Sequence, residues 1–173
     1  MQSRNAAVRF AEPVNSSPAS ALAVVPVGFD ERGHLRFSPP IGRSSNPTVR
    51  CSEGGCLEVL LEKVEGYQQV IQLVAVDDDL EFLGLSARRA ERELVQEGPL
   101  LGTPLRVQLL PEKGPHKEIM LIDTYSGPDC LDVFDYTIHY RRRGEHHTFD
   151  PQIHNEGKSG GVSRYRARRR RRT

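Results

Sequence analysis

The sequence contains no uninterrupted stretch of about 20 apolar residues, which is the length that a transmembrane helix requires. The apolar run from Ala21 to Val27 is broken by Pro26. The N-terminus also lacks the basic-then-apolar order of a secretory signal. We therefore expect a cytoplasmic protein that has no membrane span.

The signatures of common enzyme and metal sites are also missing. There is no phosphate-binding glycine loop, and no cysteine with a histidine in an established catalytic arrangement. Asp77-Asp78-Asp79-x-Glu81 lacks the central glycine and spaced oxygen ligands of an EF-hand, so we interpret it as a solvated turn. No Cys-His-Met run has the spacing of a blue-copper site. The sequence predicts no catalytic residue, cofactor or metal, and favours a non-enzymatic protein.

A β-hairpin near the end of the chain is the clearest structural pattern. Phe134, Tyr136, Ile138 and Tyr140 alternate with polar residues, which is typical of a strand buried on one face. Arg143-Gly144 provides a two-residue turn. This loop length predicts that Tyr140 pairs with His147 and that Ile138 pairs with Phe149. The pattern specifies a sheet.

Similar alternation predicts strands over most of the chain. The segment 21–27 is predicted to be a strand buried on both sides, and a strand resumes at Leu80 and Phe82 after the acidic turn. Further strands are expected at 35–37, 48–51, 57–62, 67–76, 105–110 and 118–124, with a short one at 7–10. One helix is predicted over 86–98, with Ser86 as its N-cap and Gly98 at its C-terminus. Eight or nine strands and one helix favour an all-β, antiparallel sandwich or open barrel.

Two short motifs resemble the DP-EP family of small bacterial proteins, whose function is unknown. The first is Asn46-Pro47-Thr48-Val49, and the second is Asp150-Pro151-Gln152-Ile153-His154-Asn155. The resemblance spans roughly residues 46–155. It implies an immunoglobulin-like or cupredoxin-like β-sandwich and supplies no catalytic residues.

The second motif also has a physical interpretation, as a segment that closes the domain. Asp150 is expected to form an Asx turn, and Pro151 to end the strand before it. Ile153 is expected to fill the open end of the core. Asn155 is expected to adopt the left-handed conformation that releases the chain. A direct role in binding is the alternative.

Cysteines and histidines are the remaining candidates for chemistry. Cys51 and Cys56 flank the predicted loop 52–55, so three interpretations are open: free thiols, a cross-strand disulfide, or a pair of metal thiolates. A zinc site would need two more ligands, and Cys130 is the only other thiol. Four of the six histidines lie near the hairpin. The predicted register puts His139 on the outer face and His147 on the inner face, which argues against a shared metal ion.

The charges are unevenly distributed along the chain. Eight of the 24 basic residues and no acidic residue lie in 158–173, which leaves 16 basic and 23 acidic residues in 1–157, a net charge of −7. The arginines concerned are Arg164, Arg166, Arg168, Arg169, Arg170, Arg171 and Arg172. They suit nonspecific nucleic-acid or polyanion binding. Docking on an acidic protein surface and the absence of any role are the alternatives.

These patterns divide the chain into three parts. Residues 1–20 are expected to be a partly irregular N-terminal extension, residues 21–155 the β-sandwich domain, and residues 156–173 a flexible, disordered basic tail. The favoured function is a protein-interaction module that binds an unknown partner through strand edges or loops. A nucleic-acid-associated accessory protein is the alternative, followed by a metal-dependent enzyme that uses the histidine-rich end.

Overall fold

The computed structural model describes residues 20–42, 48–87, 94–100, 103–128 and 133–157, and within these ranges the protein is all-β with no α-helix. The strands are β1 (Ser20–Phe29), β2 (Leu35–Phe37), β3 (Ile41–Gly42), β4 (Val49–Cys51), β5 (Leu57–Leu61), β6 (Gln68–Ala75), β7 (Leu80–Ala87), β8 (Gly98–Pro99), β9 (Leu105–Leu110), β10 (Glu118–Thr124), β11 (Val133–Arg142), β12 (Glu145–Phe149) and β13 (Gln152–Gly157). The predicted strand at 7–10, most of the N-terminal extension, and all tail residues from 158 onward lie outside the described ranges.

The strands form two sheets. The first has the order β2-β1-β6-β10-β9-β8, with β3 also paired to β1. The second has the order β12-β11-β13-β5-β4, with β7 also paired to β11. Both sheets are mixed, because β1 pairs with β6 and β13 pairs with β5 in parallel. The prediction of a purely antiparallel fold is therefore wrong at these two pairs, which join strands that are distant along the chain.

The two sheets share one hydrophobic core. Alternate residues on each strand turn toward it, as the pleat of a β-strand requires. Fully buried members from both sheets include Val25, Val59, Leu61, Ile71, Phe82, Ile119, Leu121 and Ile138. Strand β1 departs from the prediction: Ala23, Val25 and Val27 are buried, but Leu22 on the opposite face is 47% exposed. The predicted burial of this strand on both sides is wrong.

The hairpin of β11 and β12 forms in the predicted register. Tyr140 pairs with His147, and Ile138 pairs with Phe149. Arg143 has φ 50° and Gly144 has φ 84°, the two positive values that a tight type I′ hairpin turn requires. The strands predicted at 105–110 and 118–124 coincide with β9 and β10.

The predicted helix over 86–98 is wrong at both ends. Ser86 and Ala87 are the last residues of β7. Val95 forms an antiparallel bridge with Leu85, with N–O distances of 2.8 and 3.0 Å, and Gly98 begins β8. The local helical spacing is overridden by β-pairing, which joins the end of β7 to β11 and Val95 to Leu85, while residues 88–93 lie outside the described ranges.

The closing segment is confirmed in part. Ile153 is fully buried, as predicted, and Pro151 separates β12 from β13. Asp150 accepts a hydrogen bond of 2.6 Å from the Thr137 hydroxyl. Asn155 does not release the chain in a left-handed conformation, because it lies within β13 opposite Val59 of β5. Continued pairing with β5 keeps Asn155 extended and only 6% exposed.

Candidate functional site

The outer face of the first sheet carries an apolar surface. Its most exposed members are Ile41 on β3 and Leu22 on β1, at 65% and 47% exposure. Val24, Val70, Met120 and Ile122 are half-buried on the same face, because their chain neighbours point into the core. We call the six residues Leu22, Val24, Ile41, Val70, Met120 and Ile122 the outer patch.

Strand register makes the outer patch continuous. Leu22, Val70 and Ile122 lie side by side on β1, β6 and β10. The adjacent row contains Ile41, Val24, Gln72 and Met120, in that order. Four strands at a spacing of ~4.8 Å give the patch a width of roughly 14 Å.

One polar side chain, Gln72, lies within the second row between Val24 and Met120, and the charged side chains of Glu118 and Arg106 border the surface. Gln72 donates a hydrogen bond of 2.6 Å to the Glu118 carboxylate, so this carboxylate has a partner on the same sheet. Arg106 lies next to Ile122 on β9 and is exposed. Both rows of the patch itself lack a charged side chain. An apolar surface with a polar border is suited to burial against another apolar surface.

A second candidate site lies on the outer face of the hairpin sheet. The Ser86 hydroxyl is 2.7 Å from Nε2 of His139, and Nδ1 of His139 is 3.3 Å from Nε2 of His146. The two imidazole rings are stacked with their centroids 5.5 Å apart. Ser86 is 5% exposed, whereas His146 is exposed. A hydroxyl and two imidazoles therefore form one chain of polar contacts.

The electrostatic surroundings favour a neutral His139. Burial lowers the pKa of His139, and the neighbouring His146 lowers it further. Asp150 acts in the opposite direction, because a carboxylate stabilises the imidazolium. The net shift is downward, so His139 carries a lone pair at neutral pH.

The other histidines lie apart from this pair. His147 stacks on the buried Tyr140 ring at a centroid distance of 5.4 Å, so the predicted placement of His139 and His147 on opposite faces is confirmed. The argument against a shared metal ion compared only His139 with His147, whereas the same register puts His139 diagonal to His146 on one face. Ser86 was missed because its local sequence suggested a helix cap rather than the end of β7.

The two described cysteines, Cys51 and Cys56, are not joined by a disulfide bond in this structure. Cys51 pairs with Leu57 in the hairpin of β4 and β5, so Cys56 lies within the loop rather than opposite Cys51. Burial raises the pKa of Cys51 to about 12, and Cys56 adds to the shift. Burial likewise raises the pKa of Cys56. Neither thiol is a reactive thiolate at neutral pH. The disulfide stays a prediction, and Cys130 lies outside the described ranges.

The acidic turn anchors neighbouring segments. Asp77 accepts a hydrogen bond of 2.6 Å from the backbone N–H of Phe29. Asp79 is 3.4 Å from both Arg142 and Arg143, and Glu81 is 2.9 Å from Arg141. These carboxylates therefore form hydrogen bonds or ion pairs with residues of the neighbouring segments. Among the described residues, no three or more His, Cys, Asp or Glu side chains are grouped to hold a metal ion.

Comparison with known proteins adds no family to these observations. No protein-family model matches the chain, and no curated protein matches it. No helix among the described residues is long and apolar enough to cross a membrane. The predicted polyanion-binding residues Arg164, Arg166 and 168–172 lie outside the described ranges.

Proposed function

We propose that the chain is a non-enzymatic protein-interaction module that binds a partner protein through the outer patch. The observation that carries this proposal is the continuity of apolar side chains across β3, β1, β6 and β10. Contiguous exposed apolar surface in water is unfavourable, and such patches on single chains are frequently binding sites.

The proposed occupant is a second protein that presents an apolar surface. The patch rows contain no charge, so recognition depends on shape and on water exclusion rather than ion pairing. Residues 1–19 have few large apolar residues of their own, namely Met1, Val8, Phe10 and Val14. This composition makes the N-terminal segment a poor cover for six apolar side chains.

We also propose that the two sheets form a β-sandwich of the immunoglobulin-like or cupredoxin-like type, related to the DP-EP family. Two mixed sheets with one shared core support this arrangement. The family members that the two motifs resemble have no known activity, so the proposal assigns no catalytic residue.

A photo-crosslinking residue at position 41 in the full chain, expressed in cells, tests the proposed function. The control carries the same residue at Val64, which is 48% exposed in the turn between β5 and β6. We expect a crosslink to one distinct protein from position 41 but not from position 64. Its co-purification should be lost in Leu22→Lys and kept in Val64→Lys.

Three results would contradict the proposal. They are a crosslink to residues 1–19 of the same chain, a crosslink to a second copy of the chain, and equal capture from positions 41 and 64. Far-UV circular dichroism of each variant separates lost binding from lost folding, because both substituted side chains point to solvent.

The second candidate function is nucleic-acid association through the basic tail. The observation that favours it is the run of eight basic residues without an acid in 158–173. Counterion release would give binding that weakens steeply with salt and has no base preference. Salt-dependent DNA retention that survives deletion of 158–173 would exclude it.

A further inference from the structure

We propose that His139 and His146 form a binding site for a borderline divalent cation, of which Zn²⁺ is the test case. The site lies on the outer face of the hairpin sheet and is separate from the outer patch, which belongs to the first sheet. The two imidazoles supply the protein ligands, and water completes the coordination shell.

The distance between the two nitrogens fits a shared metal ion. Nδ1 of His139 and Nε2 of His146 are 3.3 Å apart. A tetrahedral ion with Zn–N bonds of ~2.0–2.1 Å separates two ligand nitrogens by about 3.3 Å. The ion would replace the proton that lies between the two nitrogens, and because a tetrahedral ion lies off the line that joins them, each ring must tilt to direct its lone pair at the ion.

Ser86 orients the inner imidazole. Its hydroxyl is 2.7 Å from Nε2 of His139, the nitrogen that faces away from His146. When Nε2–H donates to that hydroxyl, the lone pair of His139 lies on Nδ1 and points toward His146. Metal-binding histidines are held in this way by a hydrogen bond to the second ring nitrogen. Ser86 is thus a positioning residue rather than a ligand.

The charges around the pair are compatible with a cation. Arg141 lies opposite His146, but the Glu81 carboxylate is 2.9 Å from its guanidinium and offsets its charge. Asp150 acts on His139 as a nearby negative charge.

The coordination is open. The described residues provide no third histidine, cysteine or carboxylate that is grouped with the pair as a ligand. Binding is therefore expected to be weaker than in a four-ligand structural zinc site, and to leave positions for water.

The test is a zinc titration of the full, folded chain labelled with ¹⁵N in its histidine rings. Imidazole nitrogens report directly on their own coordination, so zinc bound by thiols does not interfere. We expect Nδ1 of His139 and Nε2 of His146 to move to metal-bound positions together, saturating at one equivalent. The ring of His147 should be unaffected.

Matched variants complete the test, with affinity measured by calorimetry. His146→Gln, an exposed position that leaves the fold intact, should lower the zinc affinity by at least about tenfold, since one of two ligands is lost. Ser86→Ala should lower it by about tenfold through loss of orientation. His147→Gln, the adjacent residue on the same strand, should change it less than about twofold.

Several outcomes would overturn the site. One is that neither imidazole of the pair shifts in excess zinc while the chain remains folded. Another is coordination of His139 through Nε2, which would break its contact with Ser86. A third is a loss of affinity in His147→Gln equal to that in His146→Gln.

Discussion

Asp123 of β10 and Asn155 of β13 interact inside the core, although their strands belong to different sheets. Asp123 has no exposed surface and lies opposite the equally buried Gln69 of β6. Burial raises the pKa of Asp123 to about 7, and the Asn155 amide lowers it only in part. Among the described residues, neither carboxyl oxygen has a hydrogen bond of ordinary geometry.

Because the pKa of the Asp123 carboxyl is raised in the folded protein, we expect the protein to lose stability as the pH rises. The folded state keeps the proton up to about pH 7, whereas the unfolded chain releases it near 3.8. The free energy of unfolding should therefore fall between about pH 4 and pH 7 and then level off, with an upper bound of about 4 kcal/mol from this group. Denaturant unfolding across that range measures the slope.

Asp123→Asn should remove this part of the pH dependence and stabilise the protein at pH 8, because no charge remains to be buried. Asp78→Asn, an exposed carboxyl in the turn between β6 and β7, is the matched control. A slope that is unchanged in Asp123→Asn would show that Asp123 does not titrate in this range.

Gly55→Ala should destabilise the protein strongly. Gly55 has φ 79°, and an added Cβ would lie 2.8 Å from Phe149 and 2.9 Å from Phe37. Those two rings stack at 5.7 Å and connect β2 of the first sheet with β12 of the second. Left-handed strain and overpacking together should cost about 3 kcal/mol. Thermal denaturation of Gly55→Ala and of the parent protein measures this loss of stability.

Gly54 is the control for that substitution, because the nearest atom to an added Cβ there is 3.9 Å away, at Ser52. Gly54→Ala should stay within about 0.5 kcal/mol of the parent protein. Equal effects of the two alanines would mean that the contact between the phenylalanine rings adjusts freely.

Arg142 should be sensitive even to substitution by lysine. Its guanidinium lies 3.9 Å from the centroid of the Phe29 ring and donates a hydrogen bond of 2.9 Å to the Gly33 carbonyl. Lysine keeps the positive charge, but it lacks the planar guanidinium that stacks on Phe29 while also donating to Gly33. Arg142→Lys should therefore lower the free energy of unfolding by about 1–2 kcal/mol.

Arg141→Lys provides the comparison on the same strand. Arg141 forms an ion pair with Glu81 at the protein surface, and such pairs contribute little to stability. We expect a change below about 0.5 kcal/mol in urea unfolding. A larger loss for Arg141→Lys than for Arg142→Lys would contradict the role given to the stack on Phe29.

Local patterns were sufficient for most of the longer strands and for the last hairpin, but not for β3, β8 and β13. Alternation from Phe134 to Tyr140 identified the buried face, and Arg143-Gly144 set the register of β12. The histidine pair follows from that register, since His139 and His146 must then share a face. The register of the hairpin therefore predicts that His139 and His146 are close, which the position of each histidine in the sequence does not show by itself.

Pairing between distant segments was not predictable in the same way. Nothing in the residues of β1 or β13 specifies a parallel partner, because alternation determines which face is buried and not which strand lies alongside. The helix prediction failed for a related reason. Ser86 and the spacing of Ala90 and Leu94 favour a helix locally, but β7 extends to Ala87 and Val95 bridges Leu85.

The position of β13 has a consequence for biosynthesis. This strand lies between β11 and β5, so the hairpin of β4 and β5 has no connection to the rest of its sheet until residues 152–157 are made. During translation, the edge of β5 that pairs with β13 therefore stays unpaired while the roughly 90 residues between the two strands are made. Newly made chains should depend on chaperones during that interval, because an open β edge promotes association with other chains.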